Sequence, residues 1–300
     1  MAAALVGAVF TAIGIVIRQR ATMDVPADRG VSVLMVNTLL RRRLWWAGTA
    51  AAVVGYLFYA IALAYGSLTL VAPLLVAALL FALPLSAWLA HRSVSRAEWL
   101  WAVVLTLALA VFISLARTQP GDYRGSGPTA VGVAAASMAV VGCCVLLATR
   151  FADWRRAILL AIGVGLMFGV VAVLTKIVMH LLTTASLLKL LASPVTYVLI
   201  AMGVAATLLQ QSAFHAGSLQ ASVPAMLVLE PVTAVLLGQV VLGETLEVDT
   251  PTAVALSAAV AAMVAATIAL GRDEGAYEDK LEAAARGASG LGDASTDRAS

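Results

Sequence analysis

Apolar runs long enough to cross a bilayer recur from one end of this chain to the other, and they leave little choice of fold. They fall at residues 2–17, 44–65, 70–90, 98–115, 129–148, 157–180, 194–214, 220–242 and 251–270, close to the ~20 residues that a helix needs to span hydrocarbon. Helices are required because an open sheet edge leaves backbone amides and carbonyls unpaired in lipid, and runs this uniformly apolar do not alternate as barrel strands do. With 62% hydrophobic and 12% charged residues, the composition excludes an ordinary soluble domain. The expected fold is all-α, a polytopic bundle of nine transmembrane helices. Residues 31–40 are apolar but too short to cross unaided, so a tenth, broken helix is the alternative. The first run has no basic lead and no clear cleavage site, and reads as a retained first helix.

The chain also repeats itself. Gly66-Ser67-Leu68 with Pro73 recurs as Gly217-Ser218-Leu219 with Pro224, each tripeptide closing one apolar run and opening the next. Upstream, Gly7, Phe10 and Arg18 recur as Gly165, Phe168 and Lys176. An odd number of spans between the copies inverts the second one, which is the architecture of secondary transporters that alternate access around a midplane site. The expected division is a first repeat at 1–115, a connecting helix with its loops at 116–156, an inverted repeat at 157–270 and a disordered tail at 271–300. That tail gains acidic residues, Gly, Ser and Ala and loses the apolar runs, so it cannot bury a core.

Lys and Arg in short loops resist translocation and set the orientation. Loops after odd-numbered spans carry eleven: Arg18, Arg20, Arg29, Arg41, Arg42, Arg43, Arg92, Arg96, Arg150, Arg155 and Arg156. Loops after even-numbered spans carry only Arg117, Arg124 and Lys189. A multi-pass plasma-membrane protein is expected, with its N-terminus outside and its C-terminus in the cytoplasm. The net charge of +3 reflects this asymmetry and implies lipid headgroups, with no nucleic-acid partner. Trp45, Trp46, Trp88, Trp99, Trp101 and Trp154 fall at the expected cytoplasmic ends of spans and read as interfacial anchors.

Several chemistries find no support. Cys143 and Cys144 are adjacent on one helix, which is unfavourable for a disulfide, and read as small packing residues. His91, His180 and His215 have no metal-ligand spacing. The glycine-rich stretch at 287–292 lacks the lysine and the strand–helix context of a phosphate loop. No H-E-x-x-H occurs, and no buried Ser, His and Asp set assembles from the spans. Neither enzymatic activity nor a cofactor or bound metal is expected.

Glu230 is the acidic residue placed well inside a span, where an ionised carboxylate costs ~2.5–3.5 kcal/mol on insertion scales. It should face protein or water, or be protonated. Pro231 follows and withholds an amide from the carbonyl near Leu227, so a locally opened helix beside a carboxylate could hold a cation, a proton or a substrate amine. The plainer alternative is a carboxylate that satisfies a neighbouring donor at a proline kink. Lys176 is the corresponding base, toward the outer end of its helix. It either snorkels outward or faces the cavity, pairing with Glu230 in one state and with an anionic substrate in the other. Repeat alignment adds Tyr59, which matches Gln210, together with Gln211 and with Tyr56 one turn before Tyr59. Glutamines in lipid need hydrogen-bond partners, and tyrosines also serve as interface anchors. Gly7, Gly14, Gly165 and Gly169 suit close helix packing.

The segment Ala225-Met226-Leu227-Val228-Leu229-Glu230-Pro231-Val232, followed by Leu242-Gly243-Glu244, resembles the late helix of the drug/metabolite transporter superfamily, of the EamA-like kind. The resemblance extends across nearly the whole membrane region and implies inverted repeats and secondary transport of a small organic solute; with Glu230 as the titrating group, the expected function is a carrier coupled to a proton or cation. Leu44-Trp45-Trp46-Ala47-Gly48 and Thr69-Leu70-Val71-Ala72-Pro73-Leu74 are similar to the NIPA-type magnesium transporter branch, which implies a divalent-cation alternative. That branch places an acidic residue and an asparagine where this chain has Tyr56 and Tyr59, and magnesium prefers a set of oxygen ligands including carboxylates. A non-transporting scaffold or lipid-handling protein is the remaining alternative.

Overall fold

A computed structural model of the chain describes residues 1–23, 42–89, 94–119, 121, 127–151, 153–185, 187–215 and 219–270. The apolar run at 31–40, the Gly217-Ser218 part of the second tripeptide and the tail at 271–300 lie outside these residues. Nearly everything described is helix. In chain order the elements are α1 (Ala2–Met23), α2 (Arg43–Tyr65), α3 (Leu68–Leu75), α4 (Ala78–Leu89), α5 (Arg96–Leu115), β1 (Thr118–Gln119), α6 (Gly127–Ala148), α7 (Asp153–Thr184), α8 (Leu187–Ala192), α9 (Pro194–His215), α10 (Leu219–Leu242) and β2 (Thr245–Leu246). A final helix, α11, covers Thr250–Leu270.

Among the described residues, six stretches are long and apolar enough to cross a membrane: Arg43–Tyr65, Leu68–Leu85, Arg96–Leu115, Arg155–Thr184, Ala225–Leu242 and Thr250–Leu270. Apolar helices of 10–17 residues, below that length, lie at Ala2–Ile17, Gly132–Ala148 and Pro194–Gln210. Leu107, Leu146 and Val254 are more than half exposed on the outside of the bundle. Such a surface suits lipid, where an exposed apolar side chain carries no hydrophobic penalty.

Small residues set how closely the helices approach. A Cβ on Gly14 of α1 would lie 2.7 Å from the Ala52 amide of α2. On Gly169 of α7 it would lie 2.5 Å from the Thr233 Cβ of α10. Helix α7 is the hub, packing on α10, α9, α6 and α2, while α1 packs on α2, α3 and α4. Ala4, Tyr59, Leu63, Leu68, Val71, Ala172, Val173, Ala234 and Leu242 form one buried cluster, which joins α1, α2 and α3 to α7 and α10. A second cluster joins α1, the α3–α4 joint, α5 and α11 through Ala12, Leu79, Leu105 and Met263.

Proline breaks the helices at a place the sequence does not suggest. The third apolar run is interrupted at Val76 and Ala77, just after Pro73, where the Val76 amide donates to the Pro73 carbonyl (3.1 Å) and the Ala77 amide to the Leu74 carbonyl (3.1 Å). Helix α10 instead runs unbroken across Glu230 and Pro231. Helix α5 begins with a capping box: Ser95 Oγ accepts from the Glu98 amide (3.1 Å) and Glu98 Oε2 accepts from the Ser95 amide (2.6 Å). At its other end the chain forms β1, which pairs antiparallel with β2 through Thr118 opposite Leu246 and Gln119 opposite Thr245. The Glu247 amide extends this ladder to the Arg117 carbonyl (3.0 Å). Because α5 is 20 residues long, about 30 Å, Ser95 and Thr245 lie at opposite ends of the bundle.

Candidate functional site

The Gly66-Ser67-Leu68 tripeptide sits where α2 ends and α3 begins. A helix end leaves carbonyls or amides without intrahelical partners, and lipid supplies none. Here two charged side chains from distant parts of the chain supply them. Lys176 of α7 is buried at 8% exposure, and its Nζ donates to the Leu63 carbonyl (2.6 Å) and to the Gly66 carbonyl. Glu244 is buried at 3% exposure; its Oε1 accepts from the Leu68 amide (2.6 Å), and its Oε2 from the Thr69 amide (2.9 Å) and the Thr69 hydroxyl (2.7 Å). A cation therefore meets the negative end of α2 and an anion meets the positive end of α3, the favourable sense for both helix dipoles. The two charges also lie within electrostatic range of each other.

Local sequence explains how Glu244 gets there. Gly243 adopts φ 71°, a left-handed conformation that turns the chain back as α10 ends. The Glu244 amide then donates to the Gly238 carbonyl (3.2 Å). A Cβ on Gly238 would lie 3.2 Å from Leu68 and 3.5 Å from Glu244 Oε2, so glycine there leaves room for the carboxylate. Ser67 does not cap α3 with its own side chain. Its hydroxyl is hydrogen-bonded to that of Thr118 at 2.8 Å.

The second polar group lies deeper, between α2, α7 and α10. Tyr59 is buried at 5% exposure, and its hydroxyl has no hydrogen-bond partner among the described residues. Glu230 lies within electrostatic range of that hydroxyl. Tyr56 packs at 6.4 Å ring-to-ring from Tyr59, and its hydroxyl is 2.6 Å from Thr175 Oγ1 of α7. The height of Glu230 is set by Gly165, whose absent Cβ would lie 3.3 Å from the Glu230 amide and 2.6 Å from the Leu229 Cβ.

Of the residues singled out by sequence, Tyr56 and Tyr59 thus pack together, with Glu230 within electrostatic range of Tyr59. Lys176 takes backbone carbonyls as its partners, in place of the Glu230 pairing that its charge suggests. Gln210 is half-buried on α9, beside Leu209, which packs over Gly163 of α7 half a turn from Gly165. Gln211 follows it on the same helix, with its side chain outside those described. Glu244 is the functional-looking carboxylate that charge-in-a-span reasoning passes over, because it lies just beyond its helix. No group of three or more His, Cys, Asp or Glu side chains suited to a metal ion occurs among the described residues. Outside the spans, Asp249 precedes α11, and a hydrogen bond with the Thr252 side chain holds its carboxyl below the ordinary range.

No family model matches the sequence, and no solved structure does. It is 35% identical over 269 residues to an uncharacterized protein of Corynebacterium glutamicum, an alignment that spans 90% of this chain and 93% of that relative. At that identity and coverage, the chain belongs to the same family as the corynebacterial protein.

Proposed function

We propose that the protein is a secondary carrier of the drug/metabolite transporter kind, which moves a small organic solute across the plasma membrane and couples it to a proton or cation at Glu230. The observation that carries this reading is a carboxylate inside an apolar helix, within electrostatic range of a buried tyrosine hydroxyl that has no hydrogen-bond partner among the described residues. Such a carboxylate is expensive in hydrocarbon unless a function retains it. With Lys176 bound to carbonyls, positive charge at Glu230 comes from what it binds, so a proton, a cation or a protonated amine fits better than an anion.

The inverted-repeat arrangement draws support from which helices meet. The repeat matches α1 with α7, α2 with α9, α3 and α4 with α10, and α5 with α11. Contacts of α1 with α2 have their counterpart in α7 with α9, and those of α1 with α3 and α4 in α7 with α10. Helix α3 touches its match α10, and α5 and α11 contribute to one core, as a pseudo-twofold axis through the bundle would arrange them. The basic loops orient this scaffold with the N-terminus outside and the C-terminus in the cytoplasm. The test is an unbiased metabolite comparison between cells lacking the protein, cells producing it and cells producing Glu230→Gln at equal folded levels. A solute whose distribution follows wild type but not the variant supports the carrier; identical profiles for the two forms sink the role of Glu230.

A further inference from the structure

The α2–α3 break is capped from across the bundle, and this ties its capping to closure. Ser67 stands where a local N-cap belongs, yet its hydroxyl is engaged with Thr118. The amides of Leu68 and Thr69 are left to Glu244, which hangs between α10 and β2, and the carbonyls of Leu63 and Gly66 are left to Lys176 of α7. Together with the short β1–β2 ladder, these contacts stitch one end of the bundle. The two parts of the chain cannot separate there without withdrawing both charges from the helix ends. The hydrogen bonds of the seam are polar, so water entering from that end can replace them. One turn deeper, Leu63, Val71 and Ala172 are apolar and tightly packed, where water offers no such replacement.

We propose that Lys176 and Glu244 form a two-point latch that holds shut the end of the bundle where Gly66-Ser67, Thr118 and Thr245 meet, and that its release opens the route to Glu230 from that side. This rests on the carrier reading, but it is tested without transport. The readout is the rate at which a water-soluble maleimide labels Ala172→Cys in nanodiscs, in a chain with Cys143 and Cys144 replaced by alanine. Glu244→Gln keeps the size and removes the charge; labelling should rise about tenfold, equivalent to ~1.4 kcal/mol of closure. Lys176→Met should act in the same direction. Joining Ser67→Cys to Thr118→Cys by a disulfide, which the 2.8 Å approach of the native hydroxyls favours, should suppress labelling until it is reduced.

Unchanged labelling in folded Glu244→Gln and Lys176→Met makes the pair a static brace and overturns the latch. Should either variant fail to fold, the disulfide in the otherwise unaltered seam decides: slower labelling when oxidised supports the latch, and equal rates overturn it. Labelling that responds as expected in a protein that moves no solute sinks the carrier reading and leaves the latch. Unresponsive labelling in a protein that does transport has the opposite meaning.

Discussion

Gly165 sets the depth of Glu230 in the bundle: a methyl group on Gly165 would come within 3.3 Å of the Glu230 amide and 2.6 Å of the Leu229 Cβ. Helices α7 and α10 touch backbone to side chain here, and Gly169 against Thr233 repeats the contact one turn on. The site carboxylate is therefore held by a rigid, closely packed helix pair.

Gly165→Ala should force the two helices apart and lower stability by about 1–3 kcal/mol, the usual cost of overpacking. The midpoint of thermal unfolding in detergent reads this directly. A variant as stable as wild type would mean that the α7–α10 contact yields easily.

Tyr59→Phe separates stability from function. The buried hydroxyl has no partner among the described residues, and removing an unsatisfied buried polar group is neutral or stabilising by about 1–3 kcal/mol. Transport should nevertheless fall roughly tenfold if that hydroxyl bonds the solute or coupling ion, since hydrogen bonds to charged groups are worth about 1.5–3 kcal/mol. Unfolding and transport measured on the same preparation check both signs. A loss of stability with full transport would place the tyrosine in packing alone.

Much of this was legible in the sequence, and the gaps have physical causes. Apolar length located the helices, because hydrocarbon requires complete internal hydrogen bonding of the backbone. Gly165 and Gly169 carried the packing signal, since close approach needs small residues. Pro231 lies within a continuous helix, since a proline in a membrane helix need not end it, whereas the third apolar run is interrupted just after Pro73. Lys176 was recognisable as costly in a span, but its partners are backbone carbonyls that no side-chain pattern announces. Glu244 was visible only as a Gly-Glu turn, and its place at the start of α3 depends on contacts between halves that a linear reading cannot measure.

Asp249 gives a pH-dependent test outside the membrane. Its hydrogen bond with Thr252 lowers its folded-state pKa, so its contribution to α11 is fully present above the ordinary carboxylate value and is lost as pH falls through the lowered one. Carboxyl-carbon NMR should show Asp249 titrating below the free-aspartate range, and Thr252→Val should move the midpoint back up. An ordinary midpoint in the wild-type chain would contradict the cap.

Topology gives a further test. Ser95 and Thr245 lie at opposite ends of the bundle, and the proposed orientation puts Ser95 inside. Single cysteines at these positions, with Cys143 and Cys144 removed, should label from opposite sides of intact cells, Thr245→Cys from outside. Labelling of both from one side would dismantle the inverted repeat.

The most direct measurement is solute movement into proteoliposomes under an imposed pH or cation gradient, with the solute taken from the metabolite comparison and wild type set beside Glu230→Gln. The carrier reading predicts gradient-driven accumulation by wild type and none by the variant, at equal amounts of folded protein. Accumulation at wild-type rates with Glu230→Gln would contradict it.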